Sequence, residues 1–132
     1  MAITSGDGYA VAQLSDLGEG PGIRKVRAPL DVTAFGVNAI VLPPGYETNP
    51  HAHERQEELY FVHRGAIEMR FGDGSRHTLE EGGLARVDAS TIRSLKNVGD
   101  GESVYVCVGG ADGYVGRDGV AASFEADASS ST

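Results

Sequence analysis

Gly45-Tyr46-Glu47-Thr48-Asn49-Pro50-His51-Ala52-His53-Glu54-Arg55-Gln56-Glu57-Glu58-Leu59-Tyr60-Phe61-Val62-His63-Arg64-Gly65 is the stretch on which the fold turns. Two histidines one residue apart point to the same side of an extended backbone, because strand side chains alternate with period two. Glu58 follows, then an apolar run over residues 59–62, and Gly65 closes it. Two imidazoles and a carboxylate on one face make a 2-His-1-carboxylate set, a donor combination suited to a divalent metal with open positions.

Outward from this stretch, short apolar runs are divided by glycine and proline, of which the chain holds 19 and 5. No helical period persists over a dozen residues. The runs predict strands over 9–14, 23–26, 33–42, 58–63, 66–71, 76–79, 84–87, 93–97 and 103–108. Turn signals separate them, among them Pro43-Pro44-Gly45, Glu81-Gly82-Gly83 and Gly99-Asp100-Gly101. Asp73-Gly74 between two alternating runs reads as a hairpin. Many short strands at regular spacing predict an all-β antiparallel sandwich or barrel over residues 9–116. Residues 1–8 read as a flexible N-terminus. After Gly116 the composition turns small and polar, and 117–132 reads as a disordered tail. A short helix or strand docked through Phe124 is the alternative.

At 132 residues the chain is one domain, able to bury a core without disulfides or a structural metal. Residues 1–9 lack the basic and apolar regions of a signal peptide. No apolar run approaches the roughly 18 residues of a membrane span. Cys107 is the single cysteine, which fits a reducing compartment, and the cytoplasm is the expected location. The net charge is −8, and residues from Arg117 onward contribute −2 of it (Arg117 against Asp118, Glu125 and Asp127), leaving −6 on the domain. A nucleic-acid interface needs clustered cations and is excluded. Arg24-Lys25-Val26-Arg27 is too short for such a patch and reads as a solvated strand face.

The motif residues resemble those of the cupins. That family's first motif is a Gly, five residues, His-x-His, three or four residues, Glu, six residues and Gly. Here Gly45, His51, His53, Glu58 and Gly65 fill every fixed position. The second motif is a Gly, five residues, Pro-x-Gly, two residues, His, three residues and Asn, and it runs in register from Gly82 to Asn97. Asp88 and Ser90 replace its Pro and Gly, and Arg93 stands at the position of the family's fourth ligand. The resemblance covers about residues 33–110. It implies a double-stranded β-helix (jelly-roll) barrel with motifs at 45–65 and 82–97. It also implies His51, His53 and Glu58 as metal ligands, and a homodimer.

Arg93 changes the chemistry. A guanidinium has no lone pair and stays protonated, so it cannot ligate a metal. About 5 Å from a divalent ion it would be repelled by roughly 6 kcal/mol at an effective dielectric of 20. Either Arg93 folds in, pairs with Glu58 and replaces the cation, or it turns aside. In the second case His51, His53 and Glu58 form an open three-ligand site for Fe, Mn, Ni or Zn, with Arg93 free to bind an anionic group.

The remaining candidates have plainer readings. Glu57 is a neighbour of the ligand position, but the six-residue distance to Gly65 selects Glu58. His63 and His77 lack partners at ligand spacing and read as surface histidines. Tyr60 shares the inward face of Glu58, where it either orients a ligand or packs in the core with its hydroxyl bonded. Tyr46 lines or covers the mouth. Cys107 reads as a buried, inert thiol. Arg86 is either a second cation for an anionic ligand or an outward, solvated side chain. Losing the rigid Pro-x-Gly predicts a looser loop before Arg93.

These residues predict a polar small-molecule pocket at the barrel centre, with His51, His53, Glu58 and Arg93 as candidate catalytic groups. One reading is a metal-dependent enzyme, dioxygenase- or isomerase-like, acting on a small anionic substrate. Without a metal, His51 or His53 serves as general base with Glu58 orienting it. The alternative is a metal-free ligand-binding or sensing barrel in which Arg93 replaces the metal. A third reading gives the polar cluster a structural role only. No nucleic-acid or membrane partner is expected.

Overall fold

The computed structural model describes residues 3–124. Its strands are β1 Thr4–Gly6, β2 Tyr9–Val11, β3 Gly22–Lys25, β4 Gly36–Leu42, β5 His51–His53 and β6 Glu57–Arg64. They continue as β7 Ile67–Phe71, β8 Arg76–Leu79, β9 Leu84–Val87, β10 Arg93–Asn97, β11 Ser103–Gly110 and β12 Gly119–Ala121. A 3-10 turn at Leu14–Asp16 is the one helical piece among the described residues, and none of these is a helix long and apolar enough to cross a membrane.

Two five-stranded antiparallel sheets carry the fold, in the orders β12-β5-β10-β7-β8 and β3-β4-β11-β6-β9, while β1 and β2 form a separate hairpin. Burial in β6 alternates strictly, Glu58, Tyr60 and Val62 inward and Glu57, Leu59, Phe61 and His63 outward. Both sheets send side chains into one core: Ile67, Met69 and Leu95 from the first, Leu42, Tyr60, Val62, Val87 and Tyr105 from the second. Full burial of each aliphatic side chain contributes about 1.5–3 kcal/mol. The result is the jelly-roll double-stranded β-helix expected from the sequence.

The motif glycines have identifiable reasons. Gly65 turns β6 into β7 at φ +80°, and a Cβ there would lie 2.2 Å from the Ser103 hydroxyl oxygen. No other residue fits both constraints. Asn97, 1 % exposed, donates to the Leu42 and Gly101 carbonyls and accepts from the Gly99 N–H and the Ser103 hydroxyl. It ties β10 to the end of β4 and to the turn that follows.

The chain ends depart from expectation. The tail expected from residue 117 is structured as far as Phe124. β12 pairs with β5 in the register Gly119↔His53 and Ala121↔His51, and Phe124 is 3 % exposed with the Arg70 guanidinium 3.9 Å from its ring centre. A three-residue β5 needs a partner on its open side, and one buried aromatic outweighs the small, polar composition around it. Residues 125–132 lie outside the described residues. At the other end β1 and β2 make an exposed hairpin where residues 1–8 were expected to be loose, and residues 1 and 2 lie outside the described residues.

Candidate functional site

β5 is held on both flanks. His51 lies opposite Arg93 of β10, and both histidines lie opposite residues of β12. The two imidazoles share a face as the period-two argument requires, with ring centres 5.1 Å apart and planes at 82°. β6 brings Glu58 to the same place from the opposing sheet. Ligand-type atoms of His51, His53 and Glu58 all lie within 4.8 Å of one another.

His53 is fixed by a residue from the far end of the chain. Its Nδ1 lies 2.9 Å from Asp118 Oδ1. The Asp118 carboxylate also accepts the backbone N–H groups of Arg55 and Gln56, both at 2.9 Å, and the Gln56 side-chain amide at 2.5 Å. Burial raises the Asp118 pKa, but the hydrogen bonds from Gln56, Arg55 and His53 outweigh it and hold the carboxyl below the usual range. The Gln56 amide nitrogen lies 3.3 Å from the same Nδ1, a longer contact than that to Asp118, and its proton goes to the carboxylate. An ionised Asp118 therefore accepts a hydrogen bond from Nδ1–H, which in the neutral ring places the lone pair on Nε2. Nε2 is buried without a hydrogen-bond partner; Glu58 Oε1 is 3.2 Å away but badly aligned for one.

Arg93 folds in. It is fully buried, and its Nη2 donates to Glu58 Oε1 at 3.2 Å. Nε donates to the Tyr60 hydroxyl at 3.3 Å, and Nη1 to the carbonyls of Thr91 at 2.6 Å and Ala89 at 3.3 Å. Tyr60 passes the network on by donating to Glu58 Oε1 at 2.5 Å. Burial, with Cys107 and Glu58 nearby, pushes the Tyr60 pKa far up, so the phenol stays a donor. The loop over residues 88–92 is thus tied down by the guanidinium itself, where loss of Pro-x-Gly predicted loosening. His53 adds a backbone bond to the Ala89 carbonyl at 2.7 Å.

A cavity of about 350 Å³ opens over this cluster, lined by His51, His53, Gln56, Glu58, Cys107 and Asp118 among others. Arg93 is not in its wall and lies behind Glu58. Burial, then the Arg93 charge, then His53, lower the His51 pKa and favour the neutral imidazole. Cys107 is pushed well above the usual thiol range by burial and by Glu58.

The three donors can hold a metal ion. The orphaned, buried Nε2 of His53 and the neutral state of His51 fit that use. Arg93 competes for one oxygen of Glu58 only. The remaining sequence candidates lie elsewhere. Arg86 points outward and pairs with Glu57 at 2.9 Å and with Asp88. His63 and His77 are exposed, His77 against Phe71. Tyr46 is 51 % exposed and borders a separate apolar cavity with Ile40 and Tyr105. Asp118 and Gln56 escaped sequence reasoning. Asp118 is 65 residues from His53, and its one signal is its place before a short apolar run able to pair as a strand.

Residues 38–109, more than half the chain, match the model of the Cupin domain family. No curated protein matches the sequence. Among solved structures, a conserved protein with a double-stranded β-helix domain from Klebsiella pneumoniae is similar at a TM-score of 0.71 and 20 % identity, over 86 % of this chain and 96 % of that one. A cupin protein from Bacteroides fragilis is similar at 0.63 and 22 % identity, over 80 % and 93 %. A sugar phosphate isomerase from a cupin superfamily, from Silicibacter pomeroyi, is similar at 0.61 and 24 % identity over 78 % of this chain, which spans 59 % of that protein's length. At such identities the likeness is one of fold. With its two facing sheets, filled first motif and matched central region, the chain belongs to the cupin family.

Proposed function

We propose that this cupin binds a small anionic molecule in the polar cavity of its barrel, with His51, His53 and Glu58 holding a divalent metal, in the manner of a metal-dependent enzyme. The observation that supports it best is the buried Nε2 of His53, unpartnered while Asp118 commits Nδ1. With the lone pair on Nε2, this nitrogen and the Glu58 carboxylate 3.2 Å away would be two donors to a divalent ion, with His51 as the third. Bound there, a divalent ion supplies a Lewis acid with open positions. The chain's own residues do the rest: Asp118 and Gln56 orient His53, Tyr60 and Arg93 fix Glu58, and the cavity walls seat the ligand. Isomerase chemistry is in keeping with the Silicibacter relative, and dioxygenase chemistry with the donor set. The single thiol fits a cytoplasmic location, and a homodimer is part of this reading.

The Arg93–Glu58 pair favours a second reading, a metal-free binding barrel in which the guanidinium replaces the metal. Elemental analysis of protein purified without a metal-affinity tag separates the two. Stoichiometric Fe, Mn, Ni or Zn that disappears in His51→Ala and His53→Ala is the expected result. Metal-free wild type that acquires an ion on Arg93→His would sink the first reading in favour of the second.

A further inference from the structure

A second cavity, of about 330 Å³, adjoins the first and has a different character. Its wall includes Lys25, Arg27 and Arg117, with Asn38 and Tyr114, and contains no carboxylate. Three of the chain's 11 cationic side chains meet here, in a protein of net charge −8. Among the described residues none of the three forms an ion pair, whereas Arg76, Arg86 and Arg93 each have an acidic partner. Arg117, Tyr114 and Asn38 belong to the walls of both cavities, so the cationic space opens onto the His51–His53–Glu58 cluster.

The cations are held in place by their backbones. Lys25 lies opposite Asn38 in the β3–β4 ladder, and the Arg27 N–H donates to the Val37 carbonyl at 3.0 Å. The Arg27 guanidinium stacks 3.9 Å from the centre of the Tyr114 ring. Arg117 adopts φ +50°, rare for a side chain with a Cβ, directly before the pinned Asp118. Three unpaired cations around one recess, with two guanidinium forks, match the dianion of a phosphate monoester better than a single carboxylate. The acidity of the whole chain opposes a polyanion such as nucleic acid.

We propose that Lys25, Arg27 and Arg117 form a phosphate subsite that anchors the phosphorylated end of a small molecule and delivers its other end to the polar floor at His51, His53 and Glu58. This rests on the small-molecule reading above and gives its ligand a class and an orientation. The test is titration of inorganic phosphate into the full chain at low ionic strength, followed by calorimetry and by amide shifts at residues 25, 27 and 117. Saturable binding is expected, weakened about tenfold or more by Lys25→Gln, Arg27→Gln or Arg117→Gln, since each removes a charge-assisted contact. Arg117→Lys should recover part of the loss, and acetate should bind at least about tenfold more weakly than phosphate, having one charge to offer. Arg76→Gln, which removes a positive charge outside both cavities, should bind phosphate like the wild type. The titration reads phosphate at residues 25, 27 and 117, so absence of metal at the floor would defeat the metal reading without moving it. The subsite is overturned if phosphate does not saturate, if the triple variant, shown folded by circular dichroism, binds it unchanged, or if acetate binds equally well.

Discussion

Arg93 is the residue whose removal the fold should tolerate least. It is fully buried, its charge faces Glu58, and it spans the carbonyls of Ala89 and Thr91. Breaking one side of a buried pair strands the other, so Arg93→Met should cost about 3–5 kcal/mol in chemical denaturation. Adding Glu58→Gln should recover much of that, and a strictly additive double variant would show that the pair is not coupled. Asp118 acts on a finer scale. Asp118→Asn, which keeps an acceptor oxygen but removes the negative charge behind the His53 ring, should weaken metal affinity about 10–100-fold while the circular dichroism spectrum stays unchanged. Cys107, raised by burial and Glu58, should resist alkylation at pH 8 in the native protein and react at once in denaturant. A fast native reaction would contradict the buried-thiol assignment. Sequence made Arg93's exclusion from ligation legible, because that follows from guanidinium chemistry alone. Its direction was not legible, because it depends on what the Ala89 and Thr91 carbonyls and the Tyr60 hydroxyl offer it.

Among the elements, those that alternate were read closely and those that do not were missed. β7 through β10 fall within a residue of the predicted runs, most plainly β7, where Ile67, Met69 and Phe71 alternate between Gly65 and Gly72. β5 and β12 have three residues each and no such pattern; β5 is fixed between β10 and β12, and β12 pairs with β5 alone. Phe124 is what holds the second of them down. Phe124→Ala should lower stability by about 3 kcal/mol and increase amide exchange in β5, measured together by denaturation and hydrogen exchange. The β7–β8 turn offers a cleaner titration. Hydrogen bonds from the Ser75 side chain, then its backbone N–H, hold the Asp73 carboxyl below its usual value. A carboxylate lowered on folding contributes stability that is present above about pH 4 and lost as pH falls through the folded value. By carbon-detected NMR the Asp73 midpoint should lie below that of an unstructured aspartate and return toward it in Ser75→Ala.

For the whole molecule, the barrel encloses its polar cluster and leaves an apolar strip outside. Leu59 and Phe61 of β6 and Leu84 of β9 are 44 %, 39 % and 60 % exposed on the outer face of one sheet, and Phe61 lies opposite Leu84. Sheet edges and such a strip are commonly covered by a second copy. Light scattering should give the mass of a dimer, and Phe61→Glu with Leu84→Glu should give a monomer. A monomeric wild type would remove the homodimer from the proposed function. The overall architecture was legible because residues Gly45 to Gly65 resemble the first cupin motif at every fixed position, and because many short runs divided by turns imply antiparallel sheets. The phosphate subsite was not, since Lys25, Arg27 and Arg117 are brought together only by closure of the barrel.

The His53 ring, the turn at Arg55 and Gln56 and the polar cavity meet at Asp118, which lies beyond the last long strand. A ribosome makes the chain from the other end, and domains begin to organise as they emerge. A nascent chain that stops short of residue 118 contains both facing sheets of the barrel except β12, yet lacks the carboxylate that accepts from Nδ1 of His53. Closure of the two long sheets and orientation of the donor set are therefore carried by different parts of the chain, the second by the pairing of β12 with β5 and the carboxylate just before it.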